Sequence, residues 1–214
     1  MNWSSIIGGS LIRESEIHPH CPEEMAEHFS ALEGGSVELE LMDFLYGTVR
    51  LFKPRFILET GTHFGISAVC LGTACKINRY GKVISIESDP EKAEEARKLL
   101  ARTGLNETVE VLNGNSLNVI SNLSSQNIVF DFTFLDSSTP IRPQEFELLY
   151  CRGLIKNLVA FHDTSRTREK TFRNNKEPQQ PYIDAMDEIE RLYCRGGIEN
   201  QLSRGFRLMQ LKDL

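Results

Sequence analysis

The feature that most constrains the fold of this chain is a regular alternation of short apolar runs with helical patterns. Five predicted strands alternate with helices, at 56–58, 83–86, 109–112, 129–135 and 158–161. Such alternation produces βαβ units, in which crossover helices cover both faces of a parallel sheet. Two further apolar runs, at 198–202 and 206–211, flank a tight turn and predict a closing antiparallel hairpin. The sequence therefore predicts an α/β fold with a doubly wound, mostly parallel seven-stranded sheet.

Composition and charge argue against several classes of protein. Of the 214 residues, 40% are apolar and 25% are charged, as in ordinary globular domains, and no apolar run is long enough to span a membrane. Residues 1–14 lack a basic segment followed by an apolar core, so no signal peptide is expected. The net charge of −6 argues against a general nucleic-acid binder, because phosphate neutralisation needs a basic excess. Five scattered cysteines predict reduced thiols and a cytoplasmic protein.

Residues 1–52 are predicted to form a helical extension or cap, and residues 53–214 the main domain. Proline and acids in the first turn predict a helix over 22–32. Ser36 is predicted to cap a second helix, whose apolar residues recur every three or four positions at Leu39, Met42, Leu45, Tyr46 and Val49. These helices either pack on the core or form one wall of a substrate cleft. Three potential metal ligands precede them, at His18, His20 and Cys21, but no second pair at suitable spacing supports a zinc site.

The segment 164–180 is too long and too polar for an ordinary connection. Its basic residues are Arg166, Arg168, Lys170, Arg173 and Lys176. The segment is predicted to be a mobile lid that orders over bound substrate. The basic residues could attract an anionic substrate or simply form a solvated face.

Polar residues follow all five predicted strands, at the point where each strand ends. They are 59–67, Glu87, 113–116, Asp136 and 162–164. Ligands of open α/β sheets bind beyond the carboxyl ends of the strands, so these residues are expected to meet in one site. Gly61 and Gly65 allow a ligand to approach the backbone, and the Glu87 carboxylate can accept hydrogen bonds from ribose hydroxyls. The sequence therefore predicts a site for a nucleoside-containing cofactor.

These motifs resemble those of class I S-adenosylmethionine-dependent methyltransferases, in particular the catechol O-methyltransferase-like O-methyltransferases. The resemblance extends from about 46 to 164, with a weaker similarity in the final hairpin. It is carried by the cofactor loop at 57–69, the ribose-binding strand at 83–90, the adenine loop at 112–116, the aspartate-delivering strand at 132–136 and the end of the fifth strand at 162–164. The resemblance implies a Rossmann-like fold, S-adenosylmethionine as cofactor and O-methylation of a small-molecule hydroxyl.

The resemblance also implies a set of cofactor-binding residues. They are Glu59, Gly61, Thr62, His63, Gly65, Ser67, Glu87, Asn115, Ser116 and Asp136. Gly61 and Gly65 are expected to line the methionine portion of the cofactor, and Ser67 and His63 its carboxylate. Glu87 is expected to accept from the ribose hydroxyls, and Asn115 and Ser116 to border the adenine.

The implied catalytic residues are Asp136, His162 and Asp163. The two aspartates fall where the family holds a divalent metal, with Thr164 in place of an asparagine, and this set suits Mg²⁺. Alternatively, Asp136 only orients cofactor or protein groups. The family has a lysine or histidine three residues after the metal aspartate, where this chain has Ser-Ser-Thr at 137–139, so the general base is open. His162 is the nearest alternative base, unless it is a structural histidine.

Three functions compete at this point. The first is a small-molecule O-methyltransferase, without nucleic-acid or membrane partners, acting alone or as a homo-oligomer. The second is a nicotinamide-dependent oxidoreductase, but its G-x-G-x-x-G fingerprint needs a glycine where Thr62 or His63 stands. The third is a non-catalytic S-adenosylmethionine-binding protein, which the absent lysine or histidine after Asp136 would favour.

Overall fold

The computed structural model describes residues 1–13, 30–32, 36–126, 128–166, 179–201 and 204–213. Its helices are α1 (Trp3–Ile7), α2 (Leu39–Phe52), α3 (Ile66–Asn78), α4 (Pro90–Arg102), α5 (Ser116–Leu123), α6 (Arg142–Cys151) and α7 (Gln179–Tyr193), with a 3₁₀ turn at Ser124–Gln126. Its strands are β1 (Ile12–Arg13), β2 (Ser30–Ala31), β3 (Phe56–Thr60), β4 (Lys82–Glu87), β5 (Val109–Asn113), β6 (Phe130–Leu135), β7 (Ile155–His162), β8 (Cys194–Asn200) and β9 (Phe206–Leu211). No helix in these ranges is long and apolar enough to cross a membrane.

Seven of these strands form one sheet in the order β5-β4-β3-β6-β7-β9-β8. The first five are parallel to one another, and β9 runs antiparallel to both β7 and β8. The predicted α/β fold, its mostly parallel sheet and its closing hairpin are therefore confirmed. Strand β7 begins three residues earlier and ends one residue later than the apolar run at 158–161 indicates, because its first residues pair with β6 through a bulge.

The strands separate two apolar layers, since successive side chains of a strand point to opposite faces. One layer packs α1 to α4 against strand residues such as Ile57 and Phe132. The other packs α5 to α7 against strand residues such as Leu58 and Val159. This three-layer arrangement buries the sheet on both faces and leaves the carboxyl ends of the parallel strands open for a ligand.

The N-terminal region departs from two predictions. Ser36 does not cap α2, because Glu38 is the N-cap residue, and Glu38 makes no side-chain cap hydrogen bond. A helix extending to residue 32 is wrong at its end, because Ser30–Ala31 forms a short strand with Ile12–Arg13. The rest of the helix predicted at 22–32, and His18, His20 and Cys21, lie outside the described residues. The domain division at 52/53 remains a prediction, although α2 packs into the same apolar layer as α3.

Candidate active site

A cleft of about 430 Å³ lies at the carboxyl ends of the parallel strands. Its lining includes nine residues of the predicted site, which are Gly61, Thr62, His63, Ser67, Glu87, Asn115, Ser116, Asp136 and Asp163. Glu59, Gly65, His162 and Thr164 do not line it. Its volume falls within the range of small-molecule and cofactor sites. The predicted strand-end residues therefore meet around one cavity.

The glycine loop after β3, at 61–65, packs closely against the backbone at the ends of β4 and β6. The backbone N–H groups of Gly61 and Thr62 both donate to the Ile86 carbonyl, over 2.9 and 3.2 Å. Gly61 has φ +82°, and a Cβ at this position would lie 2.2 Å from the Asp136 carbonyl oxygen. Only glycine fits here, because a side chain would meet backbone and strain the left-handed conformation. The loop thereby brings the ends of β3, β4 and β6 together at the cleft.

Glu87 ends β4 with its carboxylate fixed by backbone donors. The His63 N–H donates to Oε2 over 2.7 Å, and the Asp89 N–H donates to Oε1 over 3.0 Å. The Asn113 side-chain amide and the Gly114 N–H hold the Glu87 carbonyl, over 2.8 and 2.9 Å. Each carboxylate oxygen has a second lone pair, and Glu87 borders the cleft. This geometry presents an oriented pair of acceptors, as recognition of two ribose hydroxyls requires.

The loop after β5 serves both a helix and the cleft. The Asn115 side-chain oxygen accepts from the N–H groups of Leu117 and Asn118, over 3.1 and 3.3 Å, and so caps α5. Because that oxygen already accepts these two hydrogen bonds, a ligand at this end of the cleft would contact the side-chain NH₂ group and backbone of Asn115, and Ser116.

Glu59 lies beneath the cleft and does not border it. It is fully buried, and the Ser85 hydroxyl donates to its carboxylate. Burial raises the pKa of the Glu59 carboxyl to about 7, against the hydrogen bonds from Ser67 and Ser85 that lower it. Thr62 is joined to Ser85 by a second hydroxyl contact. Glu59 thus supports the glycine loop through these hydroxyls.

The other end of the cleft holds a buried cluster of charges, in which Arg142 lies between two aspartates. Its Nη2 atom donates to Asp136 Oδ1 over 2.9 Å and to Asp163 Oδ2 over 2.8 Å. The Arg142 side chain is 3% exposed. Burial opposes its charge, but Tyr182, Asp163 and Asp136 more than offset this, so the pKa of Arg142 is raised above its ordinary value. Arg142 is a permanent cation inside the site.

A second arginine reaches the cluster from the turn between β8 and β9. Arg204 Nε donates to Asp163 Oδ1 over 2.8 Å, and Nη1 donates to the Ser36 carbonyl over 2.9 Å. Its backbone N–H also donates to Glu38 Oε1 over 3.4 Å. Arg204 therefore ties the hairpin to the segment before α2 and completes the pairing of Asp163.

His162 is enclosed between carboxylates. Its Nδ1 atom lies 3.1 Å from Asp136 Oδ1 and its Nε2 atom 2.9 Å from Glu38 Oε2, and the side chain is 1% exposed. Burial lowers the pKa of His162, but the charges of Asp136, Asp163 and Glu38 outweigh it and raise the value to about 9. At neutral pH the ring is therefore protonated and donates from both nitrogens.

Glu145 is a buried acid that connects the floor of the cleft to α6. It accepts from the hydroxyls of Thr60 and Ser137, each over 2.9 Å. Burial is the main cause that raises the pKa of Glu145. The contact fixes Ser137, the residue that follows Asp136.

The donor set does not fit a magnesium ion. Ligand atoms of Asp136, His162 and Asp163 lie within 4.8 Å of one another, as a metal site requires. However, Asp163 offers both oxygens to guanidinium groups, and Asp136 Oδ1 is shared by Arg142 and His162. Thr164 is fully buried and does not border the cleft. Cations of the protein itself already neutralise the oxygens that Mg²⁺ would need.

Several residues of the site were not found by sequence reasoning. They are Glu38, Arg142, Glu145, Tyr182 and Arg204. One signal was present for Arg142: it lies between Pro140 and Pro143, and a proline in the first turn of α6 marks the helix start at that residue. That helix start faces the end of β6, where Asp136 was already predicted.

The sequence was compared with known families and proteins. Residues 58–164 match the model of a family described as a methyltransferase domain. A catechol O-methyltransferase from Niastella koreensis is 27% identical over 136 residues, which cover 63% of this chain and 61% of that protein. A catechol O-methyltransferase from Mycobacterium tuberculosis is 35% identical over 85 residues, which cover 40% of this chain and 37% of that protein. The matched part of this chain thus spans less than two thirds of either relative.

Solved structures agree with this match at the level of the fold. An O-methyltransferase from Bacillus cereus, in complex with SAH, superposes with a TM-score of 0.71 at 24% identity, over 85% of this chain and 84% of that chain. At this identity the likeness shows the fold alone. The family match covers half of the chain, from the first buried strand to the end of the fifth, and it encloses the glycine loop, Glu87 and both aspartates. The chain therefore belongs to the methyltransferase domain family.

Proposed function

We propose that this protein is an S-adenosylmethionine-dependent O-methyltransferase that acts on a hydroxyl group of a small molecule. The observation that carries the proposal is the cleft, in which the glycine loop and the oriented Glu87 carboxylate lie at one end and a charged cluster at the other. The names of the relatives, catechol O-methyltransferases, support the same reaction.

The residues around the cleft fit the parts of this cofactor. Glu87 accepts from the ribose hydroxyls. Its Oε2 atom has a lone pair left free by His63, and on Oε1, which is bound by Asp89, the ribose replaces the long 3.4 Å contact of the Ser88 hydroxyl. Asn115 and Ser116 border the adenine. Gly61 lets the backbone approach the methionine portion. Ser67, whose hydroxyl is taken by Glu59, offers its backbone N–H at the N-terminus of α3 to the carboxylate.

The rate of the reaction depends mainly on the alignment of the acceptor oxygen with the methyl group. The cofactor supplies a methyl group made electrophilic by a sulfonium. The chain aligns the acceptor oxygen with that methyl and excludes water, which in favourable cases contributes on the order of 7–11 kcal/mol. Asp136 borders the cleft and its Oδ2 atom has no hydrogen-bond partner among the described residues, while Oδ1 is held by Arg142 and His162. Asp136 Oδ2 is therefore the oxygen that receives the hydrogen bond, and then the proton, of the acceptor hydroxyl.

His162 as the general base stays a prediction that the geometry does not favour. A base must have a free nitrogen, whereas both ring nitrogens of His162 face carboxylates and the ring is protonated at neutral pH. We assign it a positioning role: it holds Asp136 Oδ1 so that Oδ2 faces the cleft.

Binding and turnover test the proposal separately. S-adenosylhomocysteine should raise the melting temperature, whereas NAD should not; at 100 times its dissociation constant a ligand stabilises by about 2.7 kcal/mol. Consumption of the methyl donor is then measured over a panel of phenols, catechols and sugar hydroxyls. Stabilisation by NAD alone would support the oxidoreductase, and binding of S-adenosylhomocysteine without turnover of any acceptor would favour the non-catalytic protein.

The remaining expectations stay predictions. Cysteines 70, 75, 151 and 194 are free thiols, which agrees with a reducing, cytoplasmic location. Of the predicted lid, residues 167–178 lie outside the described residues, and Arg166 pairs with Asp187 over 2.8 Å. Homo-oligomerisation and the absence of nucleic-acid and membrane partners are likewise untested.

A further inference from the structure

We propose that Arg142 permanently takes the place of the divalent metal at this site, so that the protein neither binds nor needs a metal ion between Asp136 and Asp163. The metal-binding part of this proposal stands on the geometry alone. The part that concerns turnover rests on the proposed function.

Arg142 has no unused hydrogen-bond donor. A guanidinium carries five N–H donors in a fixed plane. Nε donates to the Ser137 carbonyl over 2.6 Å, and Nη1 to the His162 carbonyl and, over 3.4 Å, to the Tyr182 hydroxyl. Nη2 donates to the two aspartates. The group is therefore held on every side, and to displace it would leave a buried cation without partners.

Nearly all oxygens of the two aspartates are already bound and so are unavailable to an incoming ion. Asp163 Oδ2 is bound by Arg142 and Oδ1 by Arg204. Asp136 Oδ1 is bound by Arg142 and His162. Only Asp136 Oδ2 remains among these carboxylate oxygens, whereas Mg²⁺ requires near-ideal octahedral oxygen coordination. One free oxygen beside a fixed guanidinium does not make such a site.

The charges of the two aspartates are already balanced. The two candidate metal ligands, Asp136 and Asp163, are already paired with two permanent cations, Arg142 and Arg204. A divalent ion added to this set would be an uncompensated double charge in a buried region, which is strongly unfavourable. A metal could enter only if a cation left, and neither arginine can lose its charge.

The decisive experiment is a titration of the chelator-stripped full chain with Mn²⁺, followed by electron paramagnetic resonance, with and without S-adenosylhomocysteine. We expect no specific Mn²⁺ binding by the wild type. The variant Arg142→Gln removes the cation but keeps a planar amide, and it should gain a site for one Mn²⁺. Arg191→Gln, at an arginine that is 68% exposed, is the matched control and should behave as the wild type.

Two results would overturn the proposal. One is stoichiometric binding of Mn²⁺ to the wild type that is lost in Asp136→Asn. The other is a folded Arg142→Gln variant that still binds no Mn²⁺, since the vacated position would then have no affinity for a cation. If Arg142→Gln does not fold, the wild-type titration decides alone.

Turnover provides an independent readout. Methyl transfer by the stripped enzyme should stay within about twofold in excess EDTA, because no acceptor oxygen is held by a metal. Strong inhibition by EDTA, relieved by Mg²⁺, would contradict the inference. Calorimetry with S-adenosylhomocysteine on the same samples distinguishes the two proposals. If the protein did not bind S-adenosylhomocysteine, the proposed function would be refuted, but the Mn²⁺ titration would still test whether Arg142 excludes a metal ion.

Discussion

Glu38 and His162 are 124 positions apart in the chain, yet Oε2 of one lies 2.9 Å from Nε2 of the other. Glu38 stands immediately before α2, and His162 is the last residue of β7. The contact joins the N-terminal region to the charged end of the cleft. It explains why Glu38, although it is the N-cap residue of α2, makes no side-chain cap hydrogen bond. The first helices are thereby tied to the active site through charge as well as through apolar packing.

The ribose assignment predicts the effect of removing the Glu87 carboxylate. Glu87→Ala should weaken S-adenosylhomocysteine binding at least tenfold, because hydrogen bonds to a charged acceptor are each worth roughly 1.5–3 kcal/mol. Isothermal titration calorimetry measures this directly. Glu91→Ala, at an exposed acid in the first turn of α4, is the control and should bind normally. Unchanged affinity in Glu87→Ala would remove the ribose role.

The close approach at Gly61 predicts a contrast between two glycine substitutions. In Gly61→Ala the new Cβ would meet the Asp136 carbonyl, so the protein should lose about 1–3 kcal/mol of stability and most of its cofactor affinity. In Gly47→Ala the Cβ enters open space within α2, and stability should rise by about 0.4–1 kcal/mol. Urea denaturation compares the two. Equal effects of both substitutions would argue against the backbone contact.

The charge cluster predicts a pH dependence of stability. The ionisable groups that face His162 are Glu38, Asp136, Asp163, Arg142 and Arg204. The pKa of His162 is raised from 6.5 to about 9 on folding, so its contribution is complete below pH 6.5 and is lost as the pH rises through about 9. A shift of this size corresponds to a contribution on the order of 3 kcal/mol.

Urea unfolding at a series of pH values tests this dependence. The free energy of unfolding of the wild type should fall between pH 6.5 and 9. That of His162→Gln should be lower overall, and it should change less across the same pH range. His63→Gln is the control, since burial lowers the pKa of His63 and places any effect of this residue below pH 6.5. Parallel profiles for the wild type and His162→Gln would contradict the assignment.

The buried guanidinium predicts a large cost for its removal. Arg142→Met leaves Asp136 and Asp163 without their shared partner, and the free energy of unfolding should fall by roughly 3–5 kcal/mol. Arg191→Met removes an exposed arginine whose nearest acid, Glu188, lies 3.6 Å away, and should cost less than about 1 kcal/mol. Thermal and urea denaturation provide the comparison. Similar losses in both variants would mean that the cluster contributes little to folding.

The meeting of Gly61 and Glu87 at one end of the cleft could be predicted from the sequence because its determinants are local. Gly61 and Glu87 directly follow or end their strands, and the rule that ligands bind at the carboxyl ends of strands is sufficient to bring them together. Their partners are also close in the chain, as the contact of Glu87 with the His63 N–H shows. Strand alternation, glycine turns and a terminal acid are patterns that a single sequence displays.

The charged end could not be predicted in the same way. Arg142 looks like a surface arginine in a short helix, and Arg204 like a polar residue in a hairpin turn. Their burial follows only from the positions of α6 and β9 on the sheet, which neither residue's neighbours in the chain reveal. The same holds for His162, whose sequence context is equally typical of a base and of a structural residue. Its function depends on Glu38, a residue from a different part of the chain.

The order of the charged segments along the chain has a consequence for folding. Glu38 precedes the first strand of the sheet, Arg142 follows β6, and Arg204 follows β8. Contacts between such distant positions require the closure of large loops and form late. Chains also fold from the N-terminal side during synthesis. Strands β3 to β5 can therefore pair, and the cofactor loop can form, while Asp163 still lacks Arg204. We therefore expect the charged end of the cleft to be completed last.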